Sequence, residues 1–417
     1  MYFCVKIMAM MRNLMLFTII FAALYSCKKE KPKKVSLQDD VVFLAGDSLL
    51  GRETGTAQEL MAANYLQKRM QNLGLQPKGN AGTYFQTFTF KPKTGPHTEV
   101  QFISGDSTIT GTNIITHIDN QAQKTVIIGA HYDHLGLGGE GSLYADGVAI
   151  HNGADDNASG VAVMLRLAEK LKDTLTGSNY LFIAFSGEEM GLLGSNYFSK
   201  NPTIDLKEAN YMINMDMVGR LREDKTLSIS GTGTAPIWNQ VLNSTNPGFK
   251  LVLSESGVGP SDHTSFYLQD IPVLHFFTGQ HEDYHKPSDD AEKLNYEGMQ
   301  MIGDYILNII SELDDAKKLA FRTTKNESED VPRFKVALGV MPDYLFDGKG
   351  MRIDGVTEDR PAAAAGLQKG DIVIQLGDST VVDMMSYMRA LSIFEEGNST
   401  KVIVDRKGEK VEAEITF

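Results

Sequence analysis

The sequence predicts an α/β protein: a mostly parallel, mixed sheet flanked by helices, followed by a small β-rich domain. Three observations predict it. The chain has 417 residues, too long for one ordinary domain. From about Val35 to Asp314, short apolar runs alternate with amphipathic stretches, as in a sheet covered on both faces. After a charged, apolar-poor segment, the last 85 or so residues carry short strand patterns and turns with one clear helix.

In chain order, residues 56–73 read as a helix, with Leu60, Ala63, Tyr65, Leu66, Met70 and Leu73 as apolar positions. Strands are expected at Thr125–Ala130, Tyr180–Phe185, Tyr211–Met215 and Ile271–Phe276. A helix is expected at Ala158–Leu171, and a long one at Ala291–Leu313 after the breaker Lys286-Pro287-Ser288. Residues 314–332 read as a linker between domains at 36–313 and 333–417; the late helix is Asp383–Phe394.

The first residues do not read as part of a folded domain. Arg12 precedes an apolar run from Leu14 to Leu24, the core of a signal peptide. Leu24-Tyr25-Ser26-Cys27 resembles the lipobox of bacterial lipoproteins. That resemblance implies removal of residues 1–26, a lipid on Cys27 and a membrane-anchored place in the cell envelope, with residues 28–35 as a basic tether. The only other cysteine, Cys4, leaves with the signal peptide, so thiol and disulfide chemistry are excluded from such a mature chain. Lys6 and Arg12 leave too, which leaves 38 basic against 53 acidic side chains, a balance of −15. That acidity argues against a nucleic acid partner.

The polar residues that matter follow the strands. His131 and Asp133 come directly after the first, Glu188 and Glu189 after the second, Asp216 at the end of the third, and Tyr284-His285 in the loop after the fourth. Asp155 and Asp156 open the helix between. The edge beyond the carboxyl ends of the strands is where an open α/β sheet binds ligands. So many carboxylates in one place repel each other unless a cation is present. Imidazole mixed with carboxylate suits zinc, and the surplus of ligands suggests two ions sharing a carboxylate.

Five segments in order, His131-Tyr-Asp133, Gly153-Ala-Asp-Asp-Asn-Ala-Ser-Gly160, Ser186-Gly-Glu-Glu-Met-Gly-Leu192, Asn214-Met-Asp-Met-Val-Gly219 and Tyr284-His-Lys-Pro-Ser-Asp289, resemble the motifs of the co-catalytic di-zinc aminopeptidases. That family also holds glutamate carboxypeptidases and glutaminyl cyclases. The resemblance implies two Zn2+ per chain and peptide substrates. It assigns His131 and Asp216 to one ion, Glu189 and His285 to the other, and Asp155 as the bridge. Glu188 becomes the general base acting on a metal-bound hydroxide. It also implies a cis peptide between Asp155 and Asp156. Asp133, Asp156 and Tyr284 are expected to support the ligands or the substrate, and Asp262 and His263 to shape the site. His134, His151 and His281 are expected to line loops near the pocket; His97, His117 and His275 take no part.

Ala337-Leu-Gly-Val340, Pro361-Ala-Ala-Ala-Ala-Gly-Leu367 and Lys369-Gly-Asp-Ile-Val-Ile374 resemble a PDZ domain of the bacterial protease type. That resemblance implies a peptide C-terminus held at Leu338, Gly339 and Val340. Pro342 departs from the pattern, since it removes a backbone donor. The expected activity is removal of N-terminal residues from peptides. A carboxypeptidase or dipeptidase on the same site is the alternative. A binding lipoprotein acting through its PDZ domain is a second alternative.

Overall fold

The structure, a computed structural model, describes residues 35–92, 101–139, 141–325, 335–343, 345–346, 348–357 and 360–417. The signal peptide, Cys27 and nearly all of the tether lie outside them. The larger domain contains helices α1 (Leu37–Leu44), α2 (Ala57–Asn72), α3 (Gly160–Leu171), α4 (Leu193–Lys200), α5 (Trp238–Thr245), α6 (His263–Tyr267) and α7 (Tyr296–Glu312). Its strands are β1 (Gln76–Pro77), β2 (Phe85–Phe90), β3 (Ile109–Ile118), β4 (Thr125–His131), β5 (Asn179–Phe185), β6 (Ala209–Met215), β7 (Thr226–Ser230), β8 (Lys250–Ser254) and β9 (Val273–Phe277). They form one sheet in the order β1-β3-β5-β4-β6-β9-β7-β8, with β2 on β3.

The expected parallel pairing runs through the centre, where β5, β4, β6 and β9 are all parallel. The flanks are antiparallel, at β3 on β5 and at β7 on β9. Every residue of β4 and β6 is buried, as strands covered on both faces require. The register sets the site. His131 pairs with Phe185, Gly129 with Asn214, and Met215 with Phe276. The four central strands therefore end level, and the loops that follow them emerge side by side.

Helix α2 begins where Thr56 accepts a hydrogen bond from the Glu59 amide, a good N-cap. Its buried face is Glu59, Ala62, Ala63, Leu66 and Met70; Leu60, expected to be apolar core, is exposed. Glu59 replaces it because its carboxylate is fully used, accepting from the Gly55 and Thr112 amides and the Ser186 and Tyr132 hydroxyls. Helix α7 starts five residues later than expected. Asn295 caps it through the Gly298 amide, and residues 291–293 form a separate turn. The first half of the expected linker is not free. The Leu319 amide donates to Asn210, the Arg322 amide to the Thr234 carbonyl, and Phe321 packs on Tyr267. The apolar side chains scattered among the charges of this stretch find pockets on the larger domain.

Residues 340–417 form β10 (Val340–Pro342), β11 (Met351–Val356), α8 (Pro361–Ala364), β12 (Ile372–Leu376), β13 (Ser379–Thr380), α9 (Met384–Leu391), β14 (Ser399–Arg406) and β15 (Glu409–Thr416). The sheet order is β10-β11-β12-β14-β15, with β13 on β12. Strand β10 stands at its edge, and its register slips between Met341 and Pro342. Helix α9 opens with a capping box between Asp383 and Ser386. No helix among the described residues is long and apolar enough to cross a membrane.

Candidate active site

The loops after β4, β5, β6 and β9 meet the turn before α3. His131 closes β4, and its Nε2 lies 3.3 Å from Asp216 Oδ1 and 3.3 Å from Asp156 Oδ1. On the other side, His285 Nε2 lies 3.2 Å from Asp156 Oδ2 and 3.4 Å from Glu189 Oε2. The Asp156 carboxylate thus spans two groups of donors, one oxygen toward each. Glu188, half-buried, sits with His131 and Asp216.

These spacings fit zinc. Around a tetrahedral ion with bonds of about 2.0–2.1 Å, neighbouring ligand atoms stand roughly 3.3–3.4 Å apart. His134 also approaches Glu189, but its Nδ1 is 2.7 Å from Glu189 Oε1. That is a hydrogen-bond distance, so the ring orients the carboxylate as the structure stands, and His134, Asp156 and Glu189 also lie close enough together to hold an ion.

Asp155 does not stand where the bridge was expected. Its Oδ1 accepts from the Gly219 amide at 2.6 Å, and its Oδ2 lies 3.1 Å from His281 Nε2. The cis peptide joins Asp156 to Asn157, not Asp155 to Asp156. Within the wide turn Ala154–Ser159, Asp156 (φ −105°, ψ 90°) leaves helical geometry, and the two adjacent carboxylates reach different partners. Asp289 fixes this turn from below: its Oδ2 accepts from the amides of both Asp155 (2.9 Å) and Asp156 (3.1 Å).

Arg52 is fully buried, and its guanidinium donates to the carbonyls of Leu44, Tyr132, Asn152, Gly153 and Asp156. It ties the strand end carrying His131 to the turn carrying Asp156. Burial lowers its pKa to about 10, while Asp156, Asp133, Asp289 and Glu189 hold it up. No motif marks Arg52 in the sequence, and Asp289 appears only as the last residue of a segment matched for its histidine.

The other expected residues gather nearby. Asp133 accepts from the Glu188 amide (3.2 Å) and its Oδ1 lies 3.7 Å from His131 Nδ1. The Tyr284 ring stacks on His285 with centroids 3.8 Å apart. His285, at φ +54°, is held by its Nδ1 contact to the Gly141 carbonyl at 2.7 Å. Asp262 and His263 are fully buried behind the site; His263 stacks on His275 rather than reaching forward. His151 contacts Ser142 in the loop over His285, and His281, expected only to line a loop, holds Asp155.

The electrostatics reflect crowded carboxylates. Desolvation raises the Glu188 carboxyl well above its usual range; Asp216, Glu189 and Asp262 add to this and His131 opposes it. Burial works against a charged His131, yet Glu188 and Asp216 hold its pKa well above the ordinary value. Burial would raise Asp156, but contacts with His131 and His285 bring it well below. Asp262 is pushed up to about 7, chiefly by burial. The imidazoles serve here as counter-charges to the acids, the role a divalent ion performs more strongly.

The profile of peptidase family M28 matches residues 113–310, which hold every one of these groups from His131 to Asp289 except Arg52. Over those residues the larger domain is similar to the peptidases of family M28. A PDZ domain profile matches residues 319–417, beginning before the boundary expected at 333. Aminopeptidase YwaD of Bacillus subtilis is 32% identical over 183 residues, 41% of this chain and 40% of that protein. The alkaline phosphatase isozyme conversion protein of Escherichia coli is 29% identical over 218 residues, 47% of this chain and 61% of that protein. The chain thus spans about half the length of these relatives. Among solved structures, the M28 domain resembles a Zn-dependent exopeptidase from Parabacteroides distasonis (TM-score 0.54, 20% identity, 66% of this chain and 96% of that one). It resembles the glutaminyl cyclase of Porphyromonas gingivalis about equally (TM-score 0.53, 20% identity, 66% and 97%). At this identity the likeness speaks for the fold, which both chemistries share.

Proposed function

We propose that the protein is a zinc-dependent aminopeptidase that removes N-terminal residues from peptides. The observation that carries this is the Asp156 carboxylate between His131 with Asp216 on one side and His285 with Glu189 on the other. In this reading those five residues hold two zinc ions, with Asp156 rather than Asp155 as the shared ligand. Bound zinc supplies the Lewis acidity that makes water nucleophilic near neutral pH. Glu188 takes a proton from the attacking water and passes it to the leaving amine. The Asp133 main-chain carbonyl, 3.3 Å from His131 Nδ1, fixes the His131 ring, and His134 fixes Glu189. Tyr284, whose ring stacks on His285, would donate to the substrate carbonyl oxygen as it gains charge. The names of the relatives support action at the N-terminus rather than the C-terminus.

A peptide C-terminus adding beside the edge strand β10, at Leu338 to Val340, is the matching proposal for the PDZ domain. The apolar run before Cys27 supports a lipid anchor in a bacterial envelope; palmitate labelling that persists in Cys27→Ser would refute it.

The test uses residues 28–417 with metal analysis and three peptides: free at both ends, N-acetylated, and C-amidated. Two zinc ions, with activity lost on acetylation and kept on amidation, is the expected result. Loss on amidation instead identifies a carboxypeptidase. Glu188→Gln should keep both ions and lose at least about 100-fold in kcat. Full turnover in that variant overturns the mechanism.

A further inference from the structure

The loop after β9, residues 278–290, carries His281 and His285, which contact Asp155 and Asp156 respectively. Its inner side rests on the M28 domain, where the Thr278 hydroxyl donates to the Met217 carbonyl and Arg220 pairs with Asp283. Its outer side rests on the PDZ domain. Gly279 (φ +97°) faces Leu345 so closely that an added Cβ would come within 2.7 Å of Leu345 Cδ1. Leu345, between β10 and β11, is only 3% exposed, though it is not one of the residues of the buried PDZ cluster. Polar pairs continue the seam. Arg222, from the M28 domain, reaches Asp354 at 3.3 Å and Asp343 at 3.5 Å; Lys369 reaches Asp354 at 3.3 Å and Glu282 at 3.5 Å. A cleft of about 550 Å3 lies along this seam, with Gly279, His281 and Glu282 on one wall.

We infer that the PDZ domain is a clamp on the His281–His285 loop and that Leu345 is a positioning residue for His285. The physical reason is leverage over six residues. Gly279 has no side chain to anchor it, and it adopts a left-handed backbone, as does His285, whose carbonyl accepts from the Leu143 amide. Leu345 fills the space beside the first, and the Gly141 carbonyl holds the second. Removing Leu345 frees the loop to relax outward, carrying the His285 ring away from Asp156 and Glu189. The His131 side hangs on β4 and β6 and is untouched. This inference rests on the reading of His285 and Asp156 as ligands of bound zinc.

The test loads the full chain with zinc and measures release of each ion to a chromogenic chelator, with peptidase activity alongside. In Leu345→Ala, one of the two ions should leave about 10-fold faster, the range for loss of a group that orients a ligand. The other ion should leave at the wild-type rate, and Leu345→Met should restore both. Arg222→Gln cuts the seam from the M28 side without disturbing the PDZ core. It should speed release of the same ion by a smaller factor, and it keeps the test valid if Leu345→Ala fails to fold. Unchanged release in both variants, or in Arg222→Gln alone where Leu345→Ala does not fold, overturns the clamp. Equal acceleration of both ions overturns it too. A wild-type chain that takes up fewer than two ions instead overturns the metal reading beneath it.

Discussion

Arg52→Met removes the fully buried guanidinium beneath the site while keeping an unbranched apolar side chain. Four of the acceptors, the carbonyls of Leu44, Tyr132, Asn152 and Gly153, lie within 3.1 Å of the guanidinium. Hydrogen bonds from a charged donor contribute about 1.5–3 kcal/mol each, so the gross interaction is roughly 6–12 kcal/mol. Burying the guanidinium costs several kcal/mol of this. Truncation also leaves the carbonyls unpaired, which is why removing one partner of a buried charged network typically costs about 3–5 kcal/mol. For a domain of this size each kcal/mol moves the melting temperature by about 2 °C, so a fall of roughly 6–10 °C is expected. The assay is thermal unfolding by circular dichroism, with and without zinc. Arg52→Lys should recover only part of the loss, because one ammonium cannot reach carbonyls arranged for a fork. A Met variant melting within about 2 °C of wild type refutes the assignment of Arg52 as the tie between the His131 strand and the Asp156 turn.

Two more expectations follow. Asp156→Asn should lose zinc at both positions in a metal titration, whereas Asp155→Asn should still take up two ions with lowered stability, because its carboxylate serves Gly219 and His281; the reverse pattern would restore Asp155 as the bridge. In the PDZ domain, burial would raise Asp371, but the two-pronged Arg406 pair and the Gln368 amide hold it below the usual carboxylate range. A depressed folded pKa gives stability that is fully present above the unfolded value of about 3.9, begins to fall below it and is lost as pH falls through the folded pKa. The gap in melting temperature between wild type and Asp371→Asn should therefore be widest near neutral pH and begin to close below about pH 4. A gap unchanged at pH 3 means that the ionised pair adds nothing.

The sequence alone determined the central strands, the two domains and the kinds of residue at the site, because each is a local signal. Strand patterns ending in His131, Glu188-Glu189 and Asp216 place those residues at one edge of any parallel sheet, whatever the rest of the chain does. The flanking strands β2, β3, β7 and β8 were not legible. All four keep partly open positions, and their patterns mix polar residues among the apolar ones. Tertiary structure decided what neighbours in sequence could not. Asp155 and Asp156 are adjacent and chemically alike, so their roles depend on the direction of one turn. That direction is fixed by Asp289, 133 and 134 residues away, and by Arg52, more than 100 residues away. The same holds for residues 319–324, whose few apolar side chains acquire meaning only against the surface that receives them. Composition records which groups a chain owns; only long-range hydrogen bonds and packing decide which way each one faces.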